Sequence, residues 1–177
     1  ASHPRTADRI QRAIQEAGIP VQELVGTSIG GLVAACLAGG HGWPKLYELA
    51  AALKKQDIVT LNRWALLLNG IRQESVFQGY ALRNYIESVL PVETFADLSL
   101  PVSMNAVDLE RGQMVWFGAA GRMDVPLVDA IYPTCALPLF YPPAVIKDEN
   151  YVDGGVRDGL PVQLAAERGA TLIIAID

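Results

Sequence analysis

The pentapeptide Gly26-Thr27-Ser28-Ile29-Gly30 constrains this chain more than any other stretch. Apolar Leu24-Val25 precedes it and Leu32-Val33-Ala34-Ala35-Cys36-Leu37-Ala38 follows. That order reads as a strand, a sharp turn and a buried helix, with Ser28 at the apex. Glycines two residues to either side of the serine permit the reversal, because a Cβ at either place is expected to collide with the neighbouring segment. The N–H groups that open the helix lack intrahelical acceptors, so the Ile29 N–H can face an oxygen that turns negative during acyl transfer. Taken alone, the five residues are equally compatible with a glycine-rich turn bearing a solvated serine.

A serine hydroxyl is a poor nucleophile until a base takes its proton. His41 stands at the far end of the helix that Ser28 begins, and at about 1.5 Å per residue it falls roughly 15 to 20 Å away. His3 lies in a chain end whose position the sequence does not fix. Asp153 is the better candidate. It closes the apolar stretch Tyr151-Val152 and is followed by Gly154-Gly155, which admit close approach of other backbone. A carboxylate accepts a proton directly, provided that partial desolvation lifts its pKa from about 3.9. An ordinary Asp-Gly turn remains the alternative for Asp153.

Composition narrows the classes. The 177 residues suit one domain, and 51% apolar against 19% charged residues describes a chain with a sizeable core. A net charge of −5 without a basic run argues against a nucleic-acid partner; Arg5, Arg9 and Arg12 read as a solvated helix face. Cys36 and Cys135 read as small buried hydrophobes, Cys135 in an apolar loop. No ligand-spaced cluster points to a metal. The sequence contains no run of 18 apolar residues and no signal-peptide pattern, so a cytoplasmic or membrane-peripheral location is expected.

Along the chain, Ile10, Ala13, Ile14 and Ala17 predict a helix from about Thr6 to Ala17, stopped by Gly18 and Pro20. A strand follows at Glu23 to Val25, then the turn and its helix, closed by Gly39 and Gly40. Trp43-Pro44 opens a further helix, with Lys54 and Lys55 at its C-terminal end. Residues 58–72 carry Trp64-Ala65-Leu66-Leu67-Leu68, read as a buried helix or as a lid touching lipid. A helix is expected from Ser75 to Val89 and a short turn at Thr94 to Leu98. Val102 to Val107 and Gln113 to Phe117 form a hairpin around Asp108 to Gly112, where Asp108 is a turn residue before it is a catalytic acid. Val128 to Tyr132 reads as helix, and Pro133, Pro138, Pro142 and Pro143 as a rigid loop. Val162 to Arg168 is helical, and the branched run Thr171 to Ile176 has the composition of a strand buried in a parallel sheet.

With these residues in view, the chain resembles the patatin-like phospholipases. Ala17-Gly18-Ile19-Pro20 with Gly26-Thr27-Ser28-Ile29-Gly30-Gly31 is similar to the family's nucleophile block. Thr94-Phe95-Ala96-Asp97-Leu98 with Ala106-Val107-Asp108-Leu109-Glu110-Arg111-Gly112 is similar to its middle block. Cys135-Ala136-Leu137-Pro138 through Phe140-Tyr141-Pro142-Pro143, then Asp153-Gly154-Gly155-Val156-Arg157-Asp158-Gly159-Leu160-Pro161, is similar to its final block. The resemblance implies an α/β protein, a three-layer α/β/α fold with a mainly parallel central sheet. It also implies a hydrolase acting on lipid acyl esters through Ser28 as nucleophile and Asp153 as general base and acid. Gly26, Gly30, Gly154 and Gly155 would support the two turns, and the Ile29 N–H would serve the oxyanion. No cofactor is implied. Lipid is the implied partner, with peripheral membrane contact in view. The family's Gly-Gly-Gly-X-Arg/Lys-Gly oxyanion loop is not in this sequence, which begins Ala1-Ser2-His3-Pro4. The expectation is therefore one domain over 1–177 that lacks the first strand and that loop. The other readings kept open are a catalytically weak or inactive lipid- or protein-binding relative, and a thioesterase or small-ester esterase.

Overall fold

The computed structural model describes residues 13–14, 16–58 and 78–176. Most of the first expected helix, the 58–72 segment beyond Ile58 and the start of the Ser75–Val89 helix lie outside them. His3, Arg5, Arg9 and Arg12 do too. Residues 13, 14 and 16 are helical.

The sheet is built around β2 (Val102–Asp108), of which all seven residues are buried. It takes partners on both edges. β3 (Gln113–Gly118) runs antiparallel along one edge from Ser103 to Asp108. β1 (Leu24–Gly26) runs parallel to the first half of β2, ending at Gly26 opposite Met104. β5 (Glu149–Asp153) runs antiparallel to the second half, ending at Asp153 opposite Ala106. Because β3 fills the other edge, β1 and β5 share one edge and point at each other. Their last residues are two positions of β2 apart, roughly 6 to 7 Å. β4 (Ala144–Ile146) extends the sheet beyond β5.

The α/β class is as expected, but the sheet is mixed where a mainly parallel one is implied. One of the four strand pairings among the described residues is parallel. The reason lies in loop length. The turn 109–112 joins β2 to β3, and Lys147-Asp148 alone join β4 to β5, with φ of 50° and 66°. Connections this short can only make antiparallel pairs. β4 itself has no counterpart in the sequence reading, where Pro142 and Pro143 obscure it.

The glycine-flanked turn leads into α1 (Ile29–Ala38), which ends at Gly39 as anticipated. α2 (Trp43–Ala52) carries Pro44 in its first turn and stops two residues before Lys54; Lys55 begins the single turn α3 (Lys55–Ile58). α4 (Gly79–Val89) and α5 (Leu127–Cys135) are joined by Arg83 Nη2 donating to Asp129 Oδ1 at 2.7 Å. α5 runs through Pro133 and includes Cys135, both expected in a loop. Pro133 removes one helical N–H donor, and the helix ends two residues later. α6 (Val162–Glu167) closes the described helices. Successive β2 side chains face opposite sides. Met104 lies on the α1 side, where a Cβ built on Gly31 would come within 3.4 Å of it. Ser103 and Asn105 lie on the other. There Ser103 Oγ donates to Glu23 Oε1 at 2.6 Å, and Glu23 pairs with Arg168 just beyond α6.

The run Thr171 to Ile176 is not a strand. It is exposed throughout, with Leu172 at 60% and Ile176 at 50% of full accessibility. Its composition favours a ladder, but a ladder needs a neighbouring edge, and among the described residues none pairs with it.

Asp108 is a turn residue, not part of the dyad described below. Its Oδ1 accepts from the Glu110 and Arg111 N–H groups at 2.9 and 3.0 Å, and its Oδ2 accepts from the Arg111 guanidinium. The Arg111 backbone bond first, then its side chain, hold the Asp108 carboxyl below its ordinary value of 3.8. A lowered folded-state pKa contributes stability above the unfolded value and loses it as pH falls through the folded one. Asp108→Ala should therefore melt at a lower temperature than the parent at pH 7, and the gap should close only below pH 3.8 in thermal scans across pH.

Candidate active site

Ser28 follows β1 by two residues, and Asp153 is the last residue of β5. The converging strands bring them together: Ser28 Oγ donates to Asp153 Oδ2 at 2.7 Å. The other carboxylate oxygen, Oδ1, accepts the Gly155 N–H at 2.7 Å. The Asp153 N–H in turn donates to Ala136 O at 3.0 Å, which ties the acid to the end of α5. Asp153 is 3% exposed. Burial raises its pKa above the ordinary 3.8, opposed by the Gly155 and Ser28 hydrogen bonds that favour the charged form. The result is a carboxylate of increased basicity already bonded to the proton it would remove.

Ser28 has φ 55° and ψ −129°, a conformation that L-residues rarely adopt and that costs on the order of 1–3 kcal/mol. Its N–H donates to Thr134 Oγ1 at 3.0 Å. The next N–H groups, of Gly30, Gly31 and Leu32, go to the Thr27 and Ser28 carbonyls. The Ile29 N–H has no acceptor among the described residues.

The glycines divide unequally. A Cβ on Gly26 would lie 2.5 Å from the backbone of Gly30 and Gly31, as expected. A Cβ on Gly30 would meet nothing within 4 Å, so the expected collision there is absent. The crowded residue on that side is Gly31, 3.3 Å from Thr134 Cγ2. On the acid's side, a Cβ on Gly154 would sit 2.1 Å from Asn105 Oδ1, and one on Gly155 would lie 3.1 Å from Asp153 Oδ1.

Three residues that sequence reasoning missed complete the site. Thr134 is one. Thr27 and Asn105 are the others: Thr27 Oγ1 and Asn105 Nδ2 both donate to Asp158 O, at 3.1 and 2.9 Å. Asn105 is fully buried, and its Oδ1 has no partner among the described residues. The signal available was a buried amide near the middle of a mostly apolar strand, and a threonine in the buried last turn of a helix.

The other candidates separate from the dyad. His41 Nε2 donates to Val89 O at 3.0 Å, at the far end of α1. Cys36 is buried and its pKa is pushed up to about 11 by that burial. Cys135 is half-buried, and burial together with the charge of Asp153 raises its pKa, so neither thiol ionises readily at neutral pH. An open cleft of 540 Å³ between α2 and α4, lined by Leu49, Leu53, Tyr80 and Tyr85 among others, holds neither dyad residue.

Comparison with known proteins finds relatives of this chain. A family profile described as Patatin-like phospholipase matches residues 3–166. An uncharacterized NTE family protein of Mycobacterium tuberculosis is 27% identical over 165 residues, covering 93% of this chain and 43% of that protein. The patatin-like phospholipase domain-containing protein 7 of Rattus norvegicus is 27% identical over 170 residues, covering 95% of this chain and 12% of that protein. The chain thus spans less than half the length of these relatives. Among solved structures, VipD from Legionella pneumophila superposes with a TM-score of 0.61 at 14% identity, over 85% of this chain and 43% of VipD, a likeness of fold.

The unequal glycines give a direct test of the elbow. Gly26→Ala is expected to unfold the chain or lower its thermal midpoint sharply. Gly30→Ala should change the stability by only about 1 kcal/mol or less, since it fills open space and improves helix propensity. Differential scanning calorimetry of both variants compares them.

Proposed function

We propose that this chain, which belongs to the patatin-like phospholipase family, is a serine hydrolase that cleaves phospholipid or lysophospholipid acyl esters through Ser28 and Asp153. Family membership implies lipid acyl hydrolase activity in general; the dyad and the substrate head group are the finer reading. The observation that carries it is the 2.7 Å hydrogen bond from Ser28 Oγ to a buried, desolvated carboxylate.

The cycle follows from that bond. Ser28 Oγ attacks the ester carbonyl carbon as its proton passes to Asp153 Oδ2. The carbonyl oxygen becomes negative beside the Ile29 N–H, which donates to it. Collapse breaks the bond to the alcohol oxygen, and Asp153 hands that oxygen the proton. The acyl group is now esterified to Ser28. Water attacks it while Asp153 takes the water's proton, and a second collapse releases the fatty acid as the proton returns to Ser28 Oγ. A directly bonded carboxylate makes a histidine unnecessary at each of these steps.

The surroundings suit a lipid. Ile29, next to the nucleophile, is 61% exposed. Leu137, beside the carbonyl that holds Asp153, and Val156, next to Gly155, are exposed as well. Apolar surface next to the reacting hydroxyl accepts acyl chain and gives the protein a peripheral contact with a membrane.

A fluorophosphonate serine probe tests the nucleophile: Ser28→Ala should abolish labelling. Asp153→Asn should slow labelling and phospholipid hydrolysis by about 10²–10⁴-fold, the usual contribution of a general base. Labelling that survives Ser28→Ala would end the proposal. The rate should also depend on pH in one direction at the acid end. Asp153 must be ionised to accept a proton, so activity should rise with pH along a limb centred above 3.8, because its pKa is raised by burial. A limb at or below 3.8 in a kcat/KM profile would contradict the assignment.

A further inference from the structure

Ser28 is held in its unusual backbone conformation by few contacts, and one of them comes from a residue with no place in the reaction itself. Thr134 is fully buried in the last turn of α5. Its Oγ1 accepts the Ser28 N–H at 3.0 Å, and its methyl faces Gly31, the most closely approached glycine of α1. The remaining bonds of Ser28 are to Asp153 through the side chain, and to Gly31 and Leu32 through its carbonyl.

We infer that Thr134 is a positioning residue for the nucleophile: by accepting the Ser28 N–H it keeps the positive φ that aims Oγ at Asp153. The inference rests on the serine hydrolase reading above and extends it to a residue outside the dyad. Without an acceptor at this place, the Ser28 N–H would be turned toward apolar surroundings, and rotation of the Thr27–Ser28 peptide would relieve both that loss and the positive φ. Such a rotation carries Oγ off the carboxylate. The same bond also divides labour among the elbow's donors. With the Ser28 N–H committed to Thr134, the unpaired Ile29 N–H is left to meet the oxyanion.

The two ends of the threonine side chain have separate tasks, and that makes the idea testable. Thr134→Val keeps the methyl and puts a second methyl in place of the accepting hydroxyl; Thr134→Ser keeps the acceptor and loses the methyl. The second-order rate of Ser28 phosphonylation and the kcat and KM for a p-nitrophenyl acyl ester are measured in the full chain, with thermal midpoints alongside. Ile86→Val, in the core of α4 far from the dyad in sequence, is the control for packing loss.

Thr134→Val should lose about 10- to 100-fold in phosphonylation rate and in kcat, with KM little changed, as expected for a misaimed reactive group. Thr134→Ser should restore most of that rate even where its midpoint is lower. Ile86→Val should lower the midpoint without slowing phosphonylation. Should Thr134→Val fail to fold, Thr134→Ala and Thr134→Ser differ in the hydroxyl alone, and only the serine variant should react near the parent rate. Equal rates in the parent and Thr134→Val overturn this inference and leave the dyad intact. Equal slowing in the valine and serine variants, or in the alanine and serine variants, assigns the effect to packing and also overturns it. A parent chain whose labelling does not depend on Ser28 removes the hydrolase reading, and this inference falls with it.

Discussion

The site depends on one arrangement of backbone: two strands that end head to head against a single edge of a third. β1 brings Gly26 opposite Met104 and β5 brings Asp153 opposite Ala106, one from each direction. The gap of two β2 residues is just wide enough for a serine on a tight turn and a carboxylate to meet across it. The ladder hydrogen bonds of β2 therefore set the distance between Ser28 and Asp153. In open α/β sheets a crevice forms where strand order reverses, outside the carboxyl ends of parallel strands. Here two carboxyl ends oppose each other within the sheet, against one edge of β2.

This geometry bears on how a serine reacts without an imidazole. A carboxylate in water is too weak a base to be useful near neutral pH. Asp153 is 3% exposed and raised by that burial, yet two hydrogen bonds keep its charge tolerable. Removal from solvent and retention of partners work in opposite directions, and burial is the larger, so the carboxyl stands above its ordinary value. The glycine at 154 is what permits the burial, since the Asn105 side chain occupies the space a Cβ would need.

Much of this was legible in the sequence, and the misses have physical causes. Ser28 and Asp153 stood out because each sits between an apolar strand and glycine, and Gly26 was read correctly as a steric requirement. Gly30 was not, because sequence spacing shows a permissive residue without showing whether anything lies beside it. The Thr171–Ile176 run has the right residues for a buried strand, but burial belongs to a neighbour and not to composition. The β2–β3 hairpin was legible from its turn, but the rest of the mixed sheet was not: Pro142 and Pro143 masked β4, and the antiparallel pairing of β5 with β2 joins residues too distant for a local pattern to show. Thr134, Thr27 and Asn105 were invisible for another reason. Their importance lies in hydrogen bonds to residues between 53 and 131 positions away, of which a local pattern carries no trace.

The carbonyl of Asp158 is a shared acceptor for Thr27, beside the nucleophile, and for Asn105, in the middle of the sheet. One oxygen thus staples the bend that carries the alcohol to the loop that follows the acid. A local opening that frees that loop deprives both Thr27 and Asn105 of their acceptor, which couples the bend to the acid's loop through a single oxygen.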